Sequence, residues 1–439
     1  MWWTHSDWGM GSVYLRRFKT GKTARDIDLV IRAVVRSAAR NILAYGELLR
    51  RQGASPSSIR EVSDLSKLPI VTKEWLFRDA AATDRLHKRA RLSRLAHTNT
   101  AGYTGLPVEI YMSQSEMLFR RILLLREWRR LAPLPLRLRV ADAGSWVGTD
   151  EGHLIVRYGP ITVLRISNGL PPADQVGVIS RFRPHALSGY PTTVALLAEH
   201  WTASPPRLIT TRGEILHEDE RALIEQGFGV RPIDLYNTEE IGNVATECPA
   251  DTGNLHVNTD ACIVEVVDDA SRPLPDGEEG RIAATSLYNC TMPLIRYAVG
   301  DRGATVASDR TLCACGSRRP KMRVVEGRDD DYVIMSDGRR LSPRVVGTTV
   351  KRTGDKVAAA AGRTRLFRRM QVVQDRPDHV AVRLVPDGDL PIGYAAAVAD
   401  ALREVHPQLE SSVELVESIE FEPSGKLKKI IRQIEGPET

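Results

Sequence analysis

The chain has 439 residues, 42% of them hydrophobic and 26% charged, with a net charge of +6. That length accommodates two or three domains with a sizeable core, and the mild, diffuse positive balance argues against a nucleic-acid partner. No apolar run approaches the ~18–20 residues of a membrane span, and "MWWTHSDWGMGSVY" lacks the pattern of a signal peptide, so a cytoplasmic location is expected.

Apolar residues recur at helical spacing over 24–51, "ARDIDLVIRAVVRSAARNILAYGELLRR", and over 115–132, "SEMLFRRILLLREWRRLA". Between them lies "HTNTAGYTGLPVEIY", His97 to Tyr111, a Gly/Thr loop that runs into an alternating, strand-like tail. Glycine frees backbone N–H groups to turn toward an anion and threonine hydroxyls add donors, so the loop suits phosphate; a plain hairpin turn is the alternative. The Walker arrangement, in which Gly-Lys-Ser/Thr opens a helix, is excluded because a strand follows.

Downstream, short apolar runs closed by Gly, Pro or Ser ("LRVADAG", "ITVLRIS", "PHALSGYP", "PRLITTRGE") alternate with helical stretches ("PADQVGVISRF", "PTTVALLAEHW", "EDERALIEQGFG"). This alternation predicts an α/β fold with a mostly parallel sheet covered by helices, and ligands beyond the strand ends. After Gly280 the strands read as antiparallel: "GRIAATSLYN", "MPLIRYAVGD", "RVVEGRDDDYVIMSDG". A compact α+β unit closes the chain, with strands "RRMQVVQ" and "HVAVRLVP", helix "YAAAVADALREV" and strand "SVELVESIEFEP". The polar stretch "EGRDDDY" sets the boundary between a large domain, 1–329, and a small one, 330–439.

Five cysteines, an odd and sparse set, argue against a disulfide framework. Cys248 and His256 in "ECPADTGNLHV", with Cys313 and Cys315 in "LCACG", offer three thiolates and an imidazole, a common structural zinc set, although the spacing is not that of a classical finger. Burial as small apolar residues is the competing reading, and it is preferred for Cys262 and Cys290.

In chain order, "LSKLPIVTKEWLFRD", the Gly/Thr loop, "SGYPTT", "TRGEIL", "DLYNTEEIG", "MPLIRYAVGDR", "EGRDDDYVIMSDGRRLSP" and "FEPSGKLKKII" resemble the adenylate-forming enzymes. The similarity is to the branch of the phenylacetate–CoA ligases and their capsule-biosynthesis relatives, and it runs from about Leu65 to Lys429. It implies a large N-terminal α/β domain of helix-covered sheets with a β-rich subdomain, and a small mobile α+β C-terminal domain.

Residue by residue, the resemblance implies that Thr100, Gly102, Thr104 and Gly105 cradle the ATP phosphates, with Ala101, Tyr103 and Leu106 departing from the family pattern. In "YNTEE", an ungapped comparison puts Glu240 on the Mg²⁺-binding carboxylate and Glu239 in place of a phosphate-contacting Thr; a shift of one gives those roles to Thr238 and Glu239. Either register supplies the hard oxygen ligands that Mg²⁺ favours. Tyr236 and Asn237 would lie by the nucleotide, the Tyr236 ring near the adenine, and Gly213 and Glu214 would edge the adenine and substrate pocket. Asp301 would accept the ribose hydroxyls, Arg328 would approach ribose or phosphate, and Asp330 would be the hinge. Lys426, with Lys428 and Lys429 close by, would be the catalytic lysine. Trp146, Tyr190 and Pro191 fall in regions that line the acid pocket of aryl ligases, where the aromatic rings serve equally well as core. Related members carry similar Cys/His segments, which implies a zinc clip beneath the nucleotide site.

The implied activity is ATP-dependent activation of a carboxylic acid, expected to be aromatic because Trp146 and Tyr190 offer flat surfaces, followed by transfer to CoA. Amine, hydroxyl and phosphopantetheine acceptors stay open, as does a non-catalytic nucleotide-binding protein of the same fold. The expected partners are the acid, ATP with Mg²⁺, CoA or another acceptor, and a structural Zn²⁺; a homodimer is allowed, and neither nucleic acid nor membrane is expected.

Overall fold

The computed structural model describes residues 24–73, 75–76, 83–100, 108–146, 152–167, 170, 172–307, 312–326, 333–337, 340–341, 343–420 and 430–433. They form two compact units: one within 1–144, 148–299 and 303–323, the other within 145–147, 300–302 and 324–439. Among the described residues no helix is long and apolar enough to cross a membrane.

The first helical pattern forms two helices, α1 (Ala24–Asn41) and α2 (Leu43–Arg51), instead of one. Ile42 between them is extended, with φ −117° and ψ 112°, and the Asn41 carbonyl accepts the Lys88 N–H at 2.9 Å. The Gly/Thr loop joins an antiparallel hairpin, β1 (Ala96–Thr100) and β2 (Val108–Met112), in which Thr100 pairs with Val108. Helix α3 (Gln114–Leu131) follows. Its Ser113 cap accepts the Glu116 N–H at 3.3 Å while the Glu116 carboxylate accepts the Ser113 N–H at 2.7 Å, a reciprocal capping box. Glu116 is buried and also accepts the N–H groups of Cys290 and Thr291, at 2.7 and 3.0 Å, which fixes the start of α3.

Twelve strands join one sheet: β3 (Leu138–Trp146), β4 (His153–Tyr158), β5 (Ile161–Ser167), β6 (Ala186–Gly189), β7 (Leu208–Arg212), β8 (Ile233–Thr238), β9 (Gly242–Cys248), β10 (Asp251–Val257), β11 (Cys262–Val267), β12 (Gly280–Ser286), β13 (Tyr297–Val306) and β14 (Lys321–Glu326). Their order is β11-β12-β13-β14-β10-β9-β8-β7-β6-β3-β5-β4. Parallel pairing is concentrated in β3, β6, β7 and β8, connected through α4 (Pro172–Phe182), α5 (Pro191–Glu199) and α6 (Glu218–Phe228). Ala141, Ile179, Leu187, Val194, Leu197, Ile209 and Ile224 fill the core between these helices and the sheet, all wholly buried.

Antiparallel character begins at β8–β9, earlier than the expected change after Gly280, and β4–β5 form a further antiparallel hairpin. The chain reverses over 239–241 and enters β9 through Gly242 at φ +90°, a conformation that L side chains rarely adopt.

The second unit contains the pairs β15 (Val333–Ile334) and β16 (Arg340–Leu341), and a four-stranded sheet ordered β19-β18-β17-β20. Its strands are β17 (Phe367–Arg376), β18 (His379–Pro386), β19 (Glu410–Leu415) and β20 (Ile430–Arg432), with helices α7 (Pro343–Ala360) and α8 (Tyr394–Val405). Tyr394, Val398 and Leu402 recur every four residues along α8 and are buried with Val350, Val372, Val380 and Leu384. Buried Gln374 imitates a strand: its amide donates to the Ile334 carbonyl at 2.7 Å and accepts the Ile334 N–H at 2.9 Å.

Candidate active site

In an open α/β sheet, ligands lie beyond the carboxyl ends of the parallel strands. Three predicted segments end there side by side. Tyr190 and Pro191 follow β6, Gly213 and Glu214 follow β7, and Tyr236, Asn237 and Thr238 close β8, with Glu239 and Glu240 in the turn beyond. Pro191 opens α5, and Tyr190, its N-cap residue, is buried. Burial also pushes the Tyr190 phenol above its ordinary pKa.

The turn after β8 is held by bonds to its backbone. Thr238 Oγ1 accepts the Ile241 N–H at 3.0 Å, and the Tyr288 phenol donates to the Ile241 carbonyl at 2.7 Å. Arg120, on α3, donates to the carbonyls of Glu239 and Thr238 at 2.8 and 3.3 Å. The Glu239 carboxylate is exposed and lies 3.7 Å from the same guanidinium. Glu240 instead accepts the phenol of buried Tyr297 at 3.2 Å. The guanidinium of Arg120 thus stands beside Glu239, and the Tyr297 phenol stands beside Glu240.

A polar network crosses the ends of β3, β6 and β7. Arg212 donates to Asp142 at 2.6 Å and to Ser188 at 2.5 Å, and the Thr210 hydroxyl donates to Ser188 at 2.9 Å. Asp301 lies half-buried on β13. Trp146 ends β3, and its side chain, like that of Thr100 on β1, is outside the described residues. Gly102, Thr104, Gly105, Arg328, Asp330 and Lys426 also lie outside them.

Reading the sequence alone missed Arg120, Arg212, Tyr288 and Tyr297. Arg120 sits in a run rich in arginine that reads as a solvated helix face, and its partner Glu239 is 119 residues away. A phenol beside an arginine in a mostly apolar run, as in "PLIRYAV", was the available signal for Tyr297.

Nearer the start of β8, Asp234 accepts the Thr211 hydroxyl at 2.7 Å, and its N–H donates to Glu247 at 3.0 Å. Glu247 is also gripped by Arg221, at 2.7 and 3.1 Å. Burial above all, with the Glu247 charge adding to it, pushes the Asp234 carboxyl up to about 7. An acid with a raised folded-state pKa binds more protons folded than unfolded, so its contribution to stability is lost as pH rises from ~4 toward that value. Asp234→Asn is expected to flatten the dependence of the urea midpoint on pH across this window.

A second cluster forms where the β9–β10 hairpin meets the turn before β14. Cys248, His256, Cys313 and Cys315 bring their donor atoms within 4.8 Å of one another. Cys248 Sγ lies 3.6 Å from Cys313 Sγ, and His256 Nε2 lies 3.2 Å from Cys315 Sγ. A tetrahedral zinc site with bonds of about 2.0–2.3 Å has donor–donor edges of roughly 3.3–3.8 Å, so this arrangement fits such an ion. His256 Nδ1 meets the Arg319 carbonyl at 3.0 Å, which turns Nε2 toward the thiols, and burial lowers the ring's pKa and keeps it neutral. Burial pushes the Cys248 thiol up to about 12, whereas the Cys315 N–H, foremost, brings Cys313 down to about 7. The hairpin explains how an unusual sequence spacing yields a compact donor set.

No family model matches the chain. It is 29% identical over 309 residues to the phenylacetate-coenzyme A ligase of Thermus thermophilus, covering 66% of this chain and 67% of that protein. Against the phenylacetate-coenzyme A ligase of Pseudomonas putida it is 26% identical over 327 residues, covering 70% of each. The fold matches the crystal structure of 2-hydroxyisobutyryl-CoA ligase in the postadenylation state, in complex with R3-HIB-AMP, with a TM-score of 0.71 and 17% identity, covering 93% of this chain and 89% of that one. Sequence relatives, shared architecture and motif order agree: the chain is similar in sequence to phenylacetate–CoA ligases and shares the fold of an acyl-CoA ligase.

Proposed function

We propose that this chain is an AMP-forming acid–thiol ligase. A carboxylate oxygen of the acid bonds to the α-phosphorus of ATP as the bond to pyrophosphate breaks; the CoA sulfur then bonds to the acyl carbon as AMP departs. The observation that carries this reading is the convergence of Tyr190, Gly213–Glu214 and Tyr236–Glu240 at the carboxyl ends of three adjacent parallel strands. The two sequence relatives are CoA ligases, and the structural neighbour holds an acyl adenylate, which supports both the chemistry and its order.

In this reading Thr100, Gly102, Thr104 and Gly105 hold the outer phosphates. Tyr236 lies by the adenine with Gly213 and Glu214 at its edge, and Asp301 accepts the ribose hydroxyls. The carboxylates beyond β8 fit Mg²⁺, which supplies positive charge at the phosphates when bound. Lys426 pairs with the acid and the α-phosphate, orienting them in line and offsetting the growing negative charge. The acid is an aromatic one, met by Tyr190 and Trp146. The test is acid-dependent exchange of labelled pyrophosphate into ATP across a panel of carboxylic acids, with thioester formation followed by mass spectrometry. Absence of exchange with every acid would refute the reading.

The Cys248–His256–Cys313–Cys315 set is proposed to hold a structural Zn²⁺. One zinc per chain is expected by elemental analysis, and Cys315→Ser should lose it. Filled at ~1,000 times its Kd, such a site stabilises the fold by about 4 kcal/mol, so chelation should lower the thermal midpoint.

A further inference from the structure

We infer that Arg319 is a positioning residue that ties the Cys/His metal clip to the two supports of the turn after β8, so that metal binding and nucleotide binding strengthen each other. The inference rests on the ligase and zinc readings above. It gives the metal set a part in the nucleotide site in addition to holding the fold.

At the clip, the tie is made by the main chain. Arg319 follows Cys315 by four residues, just beyond a turn in which the Cys313 N–H donates to the Ser317 carbonyl at 2.9 Å and the Gly316 N–H to the Cys313 carbonyl at 2.7 Å. The Arg319 carbonyl accepts His256 Nδ1–H at 3.0 Å, the bond that aims Nε2 at the thiols. The next carbonyl, that of Pro320, accepts the Val257 N–H at 2.9 Å. Gathering Cys313 and Cys315 with Cys248 and His256 around one ion therefore also places the Arg319 backbone.

At the other end is the guanidinium, whose side chain is only 17% exposed. It is a planar fork of donors, and its two prongs serve different elements. Nη2 donates to Glu127 on α3 at 2.8 Å, and Nη1 donates to Asn258 Oδ1 at 2.5 Å. Glu127 comes seven residues after Arg120, two helical turns along the same face of α3. Arg120 is the side chain that holds the Thr238 and Glu239 carbonyls. Asn258 is buried; its N–H donates to the Val244 carbonyl at 2.8 Å and its amide to the Asn243 carbonyl at 3.1 Å, at the entry of β9. The turn over 239–241 is thus gripped from α3 and continues into β9, and one guanidinium fixes the spacing of both.

Packing alone does not fix that spacing. A small cavity of about 10 Å³, the room of about one water, lies between α3 and the entry of β9, with Glu127, Ile241, Asn243 and Asn258 in its wall. The buried Oδ1 of Asn243 has no hydrogen-bond partner among the described residues. A seam with unfilled volume and an unmet acceptor is set by its charged bonds more than by close packing. A nucleotide that orders the turn and an ion that orders the clip then act on the same spacing. That is the condition for two sites to be coupled, and linkage makes the effect reciprocal.

The experiment measures this coupling in the full chain. Calorimetry gives the Kd of α,β-methylene-ATP with Mg²⁺ for the zinc-loaded and the zinc-free protein, and competition with a zinc-selective chelator gives the Kd of Zn²⁺ with and without the nucleotide. In the wild type each ligand is expected to tighten the other by the same factor, about 5–20-fold. Arg319→Ala keeps its carbonyl and should still take up one zinc per chain, but the factor should fall below about twofold. Arg319→Lys keeps the charge without the fork and should lose most of the factor too. A purely structural arginine would lower the thermal midpoint of the alanine variant and leave the factor as it was. Should the zinc-free chain unfold, Co²⁺-loaded protein decides the question: nucleotide should shift the visible cobalt bands of the wild type and leave those of Arg319→Ala unmoved. A wild-type factor near one with no cobalt shift, or an undiminished factor or shift in Arg319→Ala, overturns the inference. A chain that takes up no zinc refutes the zinc reading, and one that binds no nucleotide refutes the ligase reading; either takes the inference with it. Coupling without any pyrophosphate exchange refutes the ligase reading alone and leaves the role of Arg319 standing.

Discussion

A Lys426→Ala variant is expected to lose acid-dependent pyrophosphate exchange by about 10²–10³-fold, the effect of removing one preorganised donor from a developing charge. As the acid's oxygen meets the α-phosphorus, two anionic groups are pressed together, and an ammonium between them lowers that repulsion most in the transition state. Lys426 lies four residues before β20, which pairs with β17, so its segment leads into an ordered strand. Lys426→Arg should restore little, because a planar guanidinium cannot replace a compact point charge. Lys428→Ala is the control and should stay near wild type. Thioester formation from a supplied acyl adenylate should persist in Lys426→Ala, because that half-reaction does not need the lysine at the α-phosphate. Equal loss in both half-reactions would mean that Lys426 serves the fold and not the first step.

Arg296→Met should destabilise the first unit by about 3–5 kcal/mol, the range for removing one partner of a buried ion pair. Arg296 is 1% exposed, yet it carries a charge at the centre of the "PLIRYAV" run. Its guanidinium donates to Glu265 at 3.1 Å, to the Leu68 carbonyl at 2.6 Å and to the Ser271 carbonyl at 3.0 Å. Methionine would leave the largely enclosed Glu265 carboxylate without its cation and two carbonyls without donors. Burial already raises the Glu265 pKa against the opposing effect of Arg296, so the variant's carboxyl should titrate higher still. By linkage the deficit should therefore grow as pH rises and shrink in acid. Adding Glu265→Gln should recover part of the loss, and a double-mutant cycle on urea midpoints measures the coupling. A midpoint unchanged from wild type would refute the buried-pair account.

What the sequence made legible follows from how local each signal is. The parallel strands β6 and β7 were visible because each is a short buried run ended by Gly or by Arg-Gly. The "YNTEE" segment was visible as a motif, and the Cys/His set by residue type, although only the β9–β10 hairpin makes one cluster of Cys248 and His256. The break at Ile42 was not visible, because apolar spacing continues across it and the carbonyl that leaves the helix finds a partner at Lys88. Arg120 and Arg296 were not visible as structural anchors either. Each is defined by carbonyls far away in the chain, and periodicity carries no information about contacts of that kind.

The pairing of β20 with β17 rests on three residues, Ile430 to Arg432 beside Val372, Val373 and Gln374, which are themselves buried. Trimming the chain before Ile430 would strip that cover and leave an apolar margin with open N–H and C=O groups, a template for self-association. Recombinant forms shortened at this end should therefore clump and scatter light even if their remaining secondary structure survives.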